Sequence, residues 1–258
     1  MKNPILDNVL ITGATSGIGE ALALEYATRG AKNIFICGRD EARLAEVTAR
    51  CSLENVMVHP SSLDVTDEAT VRSWILACDA IAPLDLVVAN AGIGSADETE
   101  VAIRRLFDTN VGGVVNTVFP ALDVFSGEAT VGLRKRRQIA IVSSITGYHG
   151  LPSCPAYSAS KACVKAWGAG LRGRYAREGI WINVICPGFV RSRITDRNTC
   201  PMPFFMEAEK AARIIARRLE RNVGLITFPW QMRLAIWFIS MLPDCISMAI
   251  FERLPEKA

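Results

Sequence analysis

The sequence predicts an α/β fold: a parallel sheet covered by helices on both faces, in one domain spanning residues 1–258. Three observations lead there. Short, almost continuously apolar runs alternate with longer amphipathic stretches over the first two-thirds of the chain. A glycine-rich turn stands between the first apolar run and the first helical pattern. And 50% of the 258 residues are hydrophobic, enough for a large buried core.

The elements follow in order. Strands are expected at Asn8–Thr12, Asn33–Cys37, Asn55–His59, Leu84–Ala89, Gln138–Ser143 and Trp181–Cys186, with a short last one at Gly224–Phe228. Amphipathic helical patterns fill the gaps, among them Ile18–Arg29, Glu41–Arg50 and Thr66–Ala80. No linker or low-complexity stretch interrupts them. The basic run Arg134, Lys135, Arg136 and Arg137 reads as a solvated turn between two elements.

Charge and cysteine usage exclude several functions. A formal net charge of +3 gives no electrostatic case for nucleic acid. None of the eight cysteines forms a C-x-x-C pair, so no metal site is signalled, and several lie in apolar runs where Cys acts as a small hydrophobe. Met1–Asp7 is too short and polar for a secretory signal, so a cytoplasmic setting is expected.

Function is legible at the strand ends. Val9-Leu10-Ile11 runs into Thr12-Gly13-Ala14-Thr15-Ser16-Gly17-Ile18-Gly19 and then a helical pattern. Glycines there let the backbone approach a pyrophosphate, and the helix N-terminus offers free N–H groups to that anion. The second strand ends Ile36-Cys37-Gly38-Arg39, where an NAD-binding unit would hold its ribose with an acid about 20 residues beyond the glycines. Gly38 supplies no acid, and Arg39 would bind a 2′-phosphate, so NADP(H) is the expected cofactor. Asp40 is the competing acid, but it stands where a helix cap belongs. Asp64-Val65 and Asn90-Ala91-Gly92 follow the third and fourth strands and open onto the same crevice.

Tyr157 and Lys161 stand four apart at the start of a long helical pattern, which puts both on one helix face. A neighbouring ammonium stabilises a phenolate and lowers the phenol's pKa, so that Tyr157 can exchange a proton near neutral pH. Ser144 ends the preceding strand and can hold the reacting oxygen.

In these motifs the sequence resembles the short-chain dehydrogenase/reductase family, from Asn8 to Thr195. The resemblance rests on Thr12–Gly19, Asn90-Ala91-Gly92, Ser143-Ser144, Tyr157-Ser158-Ala159-Ser160-Lys161 and Pro187-Gly188, in that order and spacing. It implies a Rossmann-type doubly wound sheet of about seven strands. It also implies a tetrad of Asn110, Ser144, Tyr157 and Lys161, with Asn110 holding a water that links Lys161 to solvent. Ser144 rather than Ser143 follows from the family's spacing of thirteen residues to the tyrosine. Beyond Pro187-Gly188 the family's nicotinamide contacts would be Val190 and Ser192, the latter replacing the usual Thr. Ala89 stands where the family's third motif begins with Asn.

The resulting expectation is an enzyme passing hydride between NADP(H) and an alcohol or carbonyl compound. The alternative is a non-catalytic NADP(H)-sensing binding protein, which would be expected to lack Tyr157 or Lys161. Met202, Phe204, Phe205 and Met206 in the segment Phe189–Met206 suggest a hydrophobic substrate. Tyr148 and His149 are further candidates to line its pocket, and Arg191 and Arg193 leave a charged substrate open. Gly168, Ala169, Gly170 and Gly173, in the helix after Lys161, suit a close helix–helix approach and thus a homodimer or homotetramer, unless they face the protein's own sheet.

Pro229–Leu254 departs from the alternation and reads as an apolar C-terminal helical extension. Its run Leu234–Ile250, broken at Pro243-Asp244, suits a bilayer span poorly, since about 20 apolar residues are usual. The expectation is packing on the domain or a partner subunit, burying Trp237, Phe238 and Met241, with a peripheral membrane contact as the other use.

Overall fold

The computed structural model describes residues 6–52, 54–94, 97–127, 136–197, 202–239 and 241–251. Seven parallel strands form one sheet: β1 (Asn8–Thr12), β2 (Asn33–Gly38), β3 (Met57–Ser62), β4 (Leu86–Ala89), β5 (Gln138–Val142), β6 (Trp181–Pro187) and β7 (Leu225–Phe228). Their spatial order is β3-β2-β1-β4-β5-β6-β7. The chain therefore works outward from β1 in one direction and then returns to continue on its other side from β4. The crevice beyond the carboxyl ends of β1 and β4 is the place where such sheets bind ligands.

Side-chain alternation explains why both faces are covered. In β1, Val9 and Ile11 enter one core while Leu10 enters the other. The first core is closed by α1 (Gly17–Thr28), α2 (Glu41–Ser52) and α7 (Ala208–Glu220), through residues such as Leu22, Val47 and Ile215. The second is closed by α3 (Glu68–Ile81), α5 (Gly113–Ser126) and α6 (Pro155–Tyr175), through Ile75, Phe125 and Val164 among others. Each fully buried Leu, Ile or Phe contributes about 1.5–3 kcal/mol. A short α4 (Glu100–Phe107) leads through a π-helical turn, Asp108–Gly112, into α5.

The expected strands are all present, with β3 and β4 each beginning two residues later than the pattern suggested. The basic run is a correction. Its first two residues lie outside the described ones, but Arg136 is buried, not solvated: its guanidinium stacks 4.6 Å from the Trp181 ring centroid and its N–H donates to Asp85 Oδ1. Gln138 and Asn183 join it in a buried polar layer, with Gln138 Nε2 donating to Asn183 Oδ1 at 2.7 Å. This layer stands at the start of β5 and β6, away from the strand ends that form the crevice.

The glycines of α6 divide. A Cβ on Gly168 would stand 2.6 Å from Val184 Cγ2, so this glycine serves the chain's own sheet, whereas Gly170 and Gly173 face open space.

The C-terminal segment forms α8 (Trp230–Ile239) and α9 (Asp244–Phe251). The expectation that it buries Trp237, Phe238 and Met241 on the domain is not met: all three are exposed, and no residue of α8 is fully buried. Gln231, Met232, Ile236 and Ile239 are half-buried, with Met232 lying against Gly188. Among the described residues no helix is long and apolar enough to cross a membrane.

Candidate active site

The turn after β1 is shaped by close approach. Gly13 has φ 67° and Gly17 φ 59°, a region that L side chains rarely adopt. A Cβ on Gly13 would lie 2.7 Å from Ala91 Cα, and one on Gly17 would lie 2.8 Å from Ser192 Cβ. The turn is thus pressed between the β4 end on one side and the loop after β6 on the other. Asn90 fastens it, donating from Nδ2 to Thr12 O at 2.9 Å and Gly13 O at 3.1 Å. Thr12 Oγ1 in turn accepts from the N–H groups of Asn90 and Ala91. Thr12, which in the sequence only opens the glycine motif, is part of the site, and a hydroxyl closing the apolar run Val9-Leu10-Ile11 is its signal. The turn runs directly into α1, whose first residues are Gly17, Ile18 and Gly19, behind Ser16 at the N-cap. The Ser16 hydroxyl makes no capping bond there, which leaves first-turn donors to an anion.

At the neighbouring strand ends, Arg39 Nη1 pairs with Asp64 Oδ2 at 3.3 Å. Burial would raise the Asp64 pKa, but hydrogen bonds from the Thr66 N–H and hydroxyl, with the Arg39 charge, hold it below the usual value. Gly38 packs against the Thr15 methyl, so a side chain there would collide as well as change the charge. Val65 is buried, and its methyl fits the space left by Gly113. This pocket beside Arg39 and Asp64 also exposes Thr66, Arg105 and Asn116 and encloses about 510 Å³.

The four expected tetrad residues gather at the ends of β4 and β5. Ser144 follows β5 and caps the 3-10 turn Ile145–Tyr148, accepting from Thr146 N. Its hydroxyl is hydrogen-bonded to the Tyr157 phenol. Ser143 instead donates to Lys161 O at 2.7 Å. Lys161 is buried, donates to Val142 O at 3.2 Å, and its Nζ lies 5.8 Å from the Tyr157 ring centroid. Gly92 leaves room beside it: a Cβ there would stand 3.2 Å from Lys161 Nζ and 3.1 Å from Asn110 Oδ1.

Asn110 sits in the π-helical turn, a rare insertion that often marks a site. Its amide is fully engaged, accepting from Ile93 N at 2.8 Å and donating to Ile93 O and to Ser160 Oγ. The side chain therefore positions the backbone, and the widened turn, where Gly113 N–H reaches back to Asp108 O, is what alters the local carbonyl pattern. Ser160 and Glu98, which accepts from Ala156 N at the start of α6, are supports that residue patterns did not announce.

Electrostatics amend one expectation. Burial pushes the Tyr157 hydroxyl up to about 12, with the Ser144 hydrogen bond pulling the other way. Burial also pushes Lys161 down to about 8. Desolvation is the largest influence on both groups, raising the phenol and lowering the ammonium.

The loop after β6 lies across the crevice. Gly188 N donates to Phe228 O at 2.8 Å, Val190 bridges to Met206, and Ser192 N donates to Thr195 Oγ1 at 2.8 Å. Arg191 is engaged by Glu207 at 2.8 Å. Met206 is buried, whereas Phe204 and Phe205 are exposed. Tyr148 bonds Thr227 Oγ1 at 2.9 Å and carries Lys165 Nζ 3.8 Å from its ring centroid, so its hydroxyl is turned to β7. Cys200 and part of the loop lie outside the described residues. No group of His, Cys, Asp and Glu among those described could hold a metal ion.

The fold and sequence have counterparts among known proteins. Residues 7–201 match the family model described as short chain dehydrogenase. An uncharacterized oxidoreductase of Myxococcus xanthus is 36% identical over 250 residues, covering 95% of this chain and 96% of that protein. A putative ketoacyl reductase of granaticin polyketide synthesis from Streptomyces violaceoruber is 34% identical over 190 residues, covering 73% of this chain and 69% of its own length. A short-chain dehydrogenase from Sphingobium yanoikuyae, solved with NADPH, superposes with a TM-score of 0.78 at 24% identity, covering 97% of each chain. One from Mycobacterium paratuberculosis, solved with NAD, gives 0.73 at 24% identity, covering 86% of this chain and 96% of its own. With the sheet order, the glycine turn and the Ser–Tyr–Lys cluster in place, the chain belongs to the short-chain dehydrogenase/reductase family of oxidoreductases.

Proposed function

We propose that this chain, acting as one domain, interconverts a secondary alcohol and a ketone, or a primary alcohol and an aldehyde, with NADP(H), using Tyr157 as the proton-transferring group. The observation that supports it most is the hydrogen bond between the Ser144 hydroxyl and the Tyr157 phenol, with the buried Lys161 ammonium beside the same ring.

The crevice fits a dinucleotide. Gly13, Thr15, Ser16, Gly17, Ile18 and Gly19 form a cradle that a Cβ would fill at Gly13 or Gly17, and that opens on a helix N-terminus. Arg39 would hold the 2′-phosphate, while Asp64, Val65, Asn90, Ala91 and Gly92 would flank the adenosine half. Pro187, Gly188, Val190 and Ser192 would flank the nicotinamide, beside Tyr157 and Lys161. When bound, the nicotinamide supplies or accepts the hydride.

The chain's own part is the proton and the positioning. Tyr157 Oη holds a proton at neutral pH, since burial keeps its pKa high, and can deliver it to a carbonyl oxygen. Ser144 shares that position by hydrogen bond and fixes the oxygen at the phenol. Lys161, charged below a pH of about 8, stabilises the negative charge left on Tyr157. Asn110 sets the turn beside Lys161 through which a proton from solvent would return. The buried Val190–Met206 bridge, in the loop across the crevice, supports a hydrophobic substrate. The open Gly170 and Gly173 on α6 support a homodimer or homotetramer. Screening ketones, aldehydes and secondary alcohols with NADPH and NADP by nicotinamide absorbance tests the reading; no cofactor-dependent turnover with any of them overturns it.

A further inference from the structure

The end of the chain presents an apolar surface that the redox chemistry does not use. Trp230 is 68% exposed, Trp237 59%, Phe238 60% and Met241 67%, with Leu234 and Ile246 also open. Monomeric soluble proteins rarely leave so many large apolar side chains together in water. Beside this surface runs a groove of about 590 Å³ that joins it to α7. Its apolar walls include Phe204, Phe205 and Trp230, and its α7 side is lined by Lys210, Arg217, Arg218 and Arg221. None of the described lining residues is acidic. Of the nearby carboxylates, Glu207 pairs with Arg191 and Glu220 with Arg29, and Glu209 does not line the groove.

The spacing on α7 explains the row. Its apolar positions Ala211, Ala212, Ile215, Ala216 and Leu219 are buried on α1 and the sheet. The positively charged positions fall on the opposite stripe, toward α8. Cations thus share the groove with Trp230, at the start of α8. α8 is ten residues long, and no described helix can cross a membrane.

We propose that α8, α9 and the cationic stripe of α7 form a face that docks this protein onto an anionic phospholipid surface, lying in the interface without spanning it. Tryptophan and phenylalanine enter the headgroup boundary, where amphipathic rings are most at home, while Lys210, Arg217, Arg218 and Arg221 meet lipid phosphates. A second copy of the chain is the weaker occupant. A two-fold contact over this groove would set the four cations of one copy against the same four of the other. Anionic lipid removes that repulsion and converts it to attraction.

The test reads vesicle binding and needs no turnover, so its failure is separate from failure of the redox reading. The full chain is sedimented with vesicles of phosphatidylcholine alone and of phosphatidylcholine mixed with phosphatidylglycerol, at low and high salt. We expect binding to the anionic vesicles only, weakened by salt. The double variant Arg217→Glu/Arg221→Glu should lose binding by about 25-fold or more, at roughly fivefold per cation removed. The double variant Trp237→Ser/Phe238→Ser should lose it too, with circular dichroism melting checking that both variants fold. Absence of wild-type binding to anionic vesicles overturns the proposal. So does binding indifferent to both variants, and so does a wild-type dimer by light scattering that Trp237→Ser/Phe238→Ser turns into a monomer.

Discussion

The Arg39 guanidinium reaches Asp64 at 3.3 Å across the ends of β2 and β3, and both side chains remain substantially open to solvent. An exposed pair of this kind stabilises by about 0–1 kcal/mol. A 2′-phosphate with two negative charges and several acceptors would draw the guanidinium more strongly. NADPH is therefore expected to bind more tightly than NADH. Arg39→Asp should reverse the order, because the new carboxylate repels the phosphate and accepts from a ribose hydroxyl. Dissociation constants for the two cofactors by fluorescence titration check this; wild-type binding of NADH as tight as that of NADPH would remove the phosphate site.

Tyr157→Phe should abolish turnover and leave cofactor binding nearly intact. The ring keeps its packing, and only the hydroxyl bonded to Ser144 is lost. A general acid contributes about 10²–10⁴-fold in rate. Turnover within about tenfold of wild type, a change of ~1.4 kcal/mol in the barrier, is incompatible with the role.

The pH dependence follows from Lys161. Its pKa is lowered to about 8 by burial, so the ammonium is present below that pH and lost above it, while Tyr157 stays protonated up to about 12. Carbonyl reduction should hold level up to a pH of about 8 and then fall. Lys161→Met should remove the limb along with most of the rate. For folding the sign is opposite: the folded state binds fewer protons than the unfolded one between about 8 and 10.5, so this group's penalty on stability fades as pH rises through that window. Initial rates and thermal melts across pH 6–11 read the two effects separately.

Two glycines of α6 should respond in opposite directions. Gly168→Ala forces a methyl to within 2.6 Å of Val184 Cγ2 and should cost about 1–3 kcal/mol. Gly173→Ala meets nothing and should stabilise the helix by about 0.5–1 kcal/mol. If the chain dimerises through this open stripe, the second variant instead loses stability at micromolar concentration. Chemical denaturation of each variant, with light scattering for the mass of the assembly, separates the cases.

The sequence by itself determined the sheet, the glycine turn and the pairing of Tyr157 with Lys161 on one helix face. Those features are local: a period of two residues in a strand, glycines where the backbone must bend, an i,i+4 pair on one helix face. The tertiary structure alone decided what depends on residues distant in the chain. It turned Ser143 to Lys161 O and Ser144 to Tyr157, and gave the Asn110 amide to Ile93. Arg136, from a run that reads as solvated, was buried on Trp181, and Gly168 was pressed to the sheet while Gly173 stayed open. It left Trp237 and Phe238 in the open, although their hydrophobicity alone argues for burial. Hydropathy says how much a side chain gains by leaving water; which neighbour is there to cover it is settled only when segments far apart in sequence pack together.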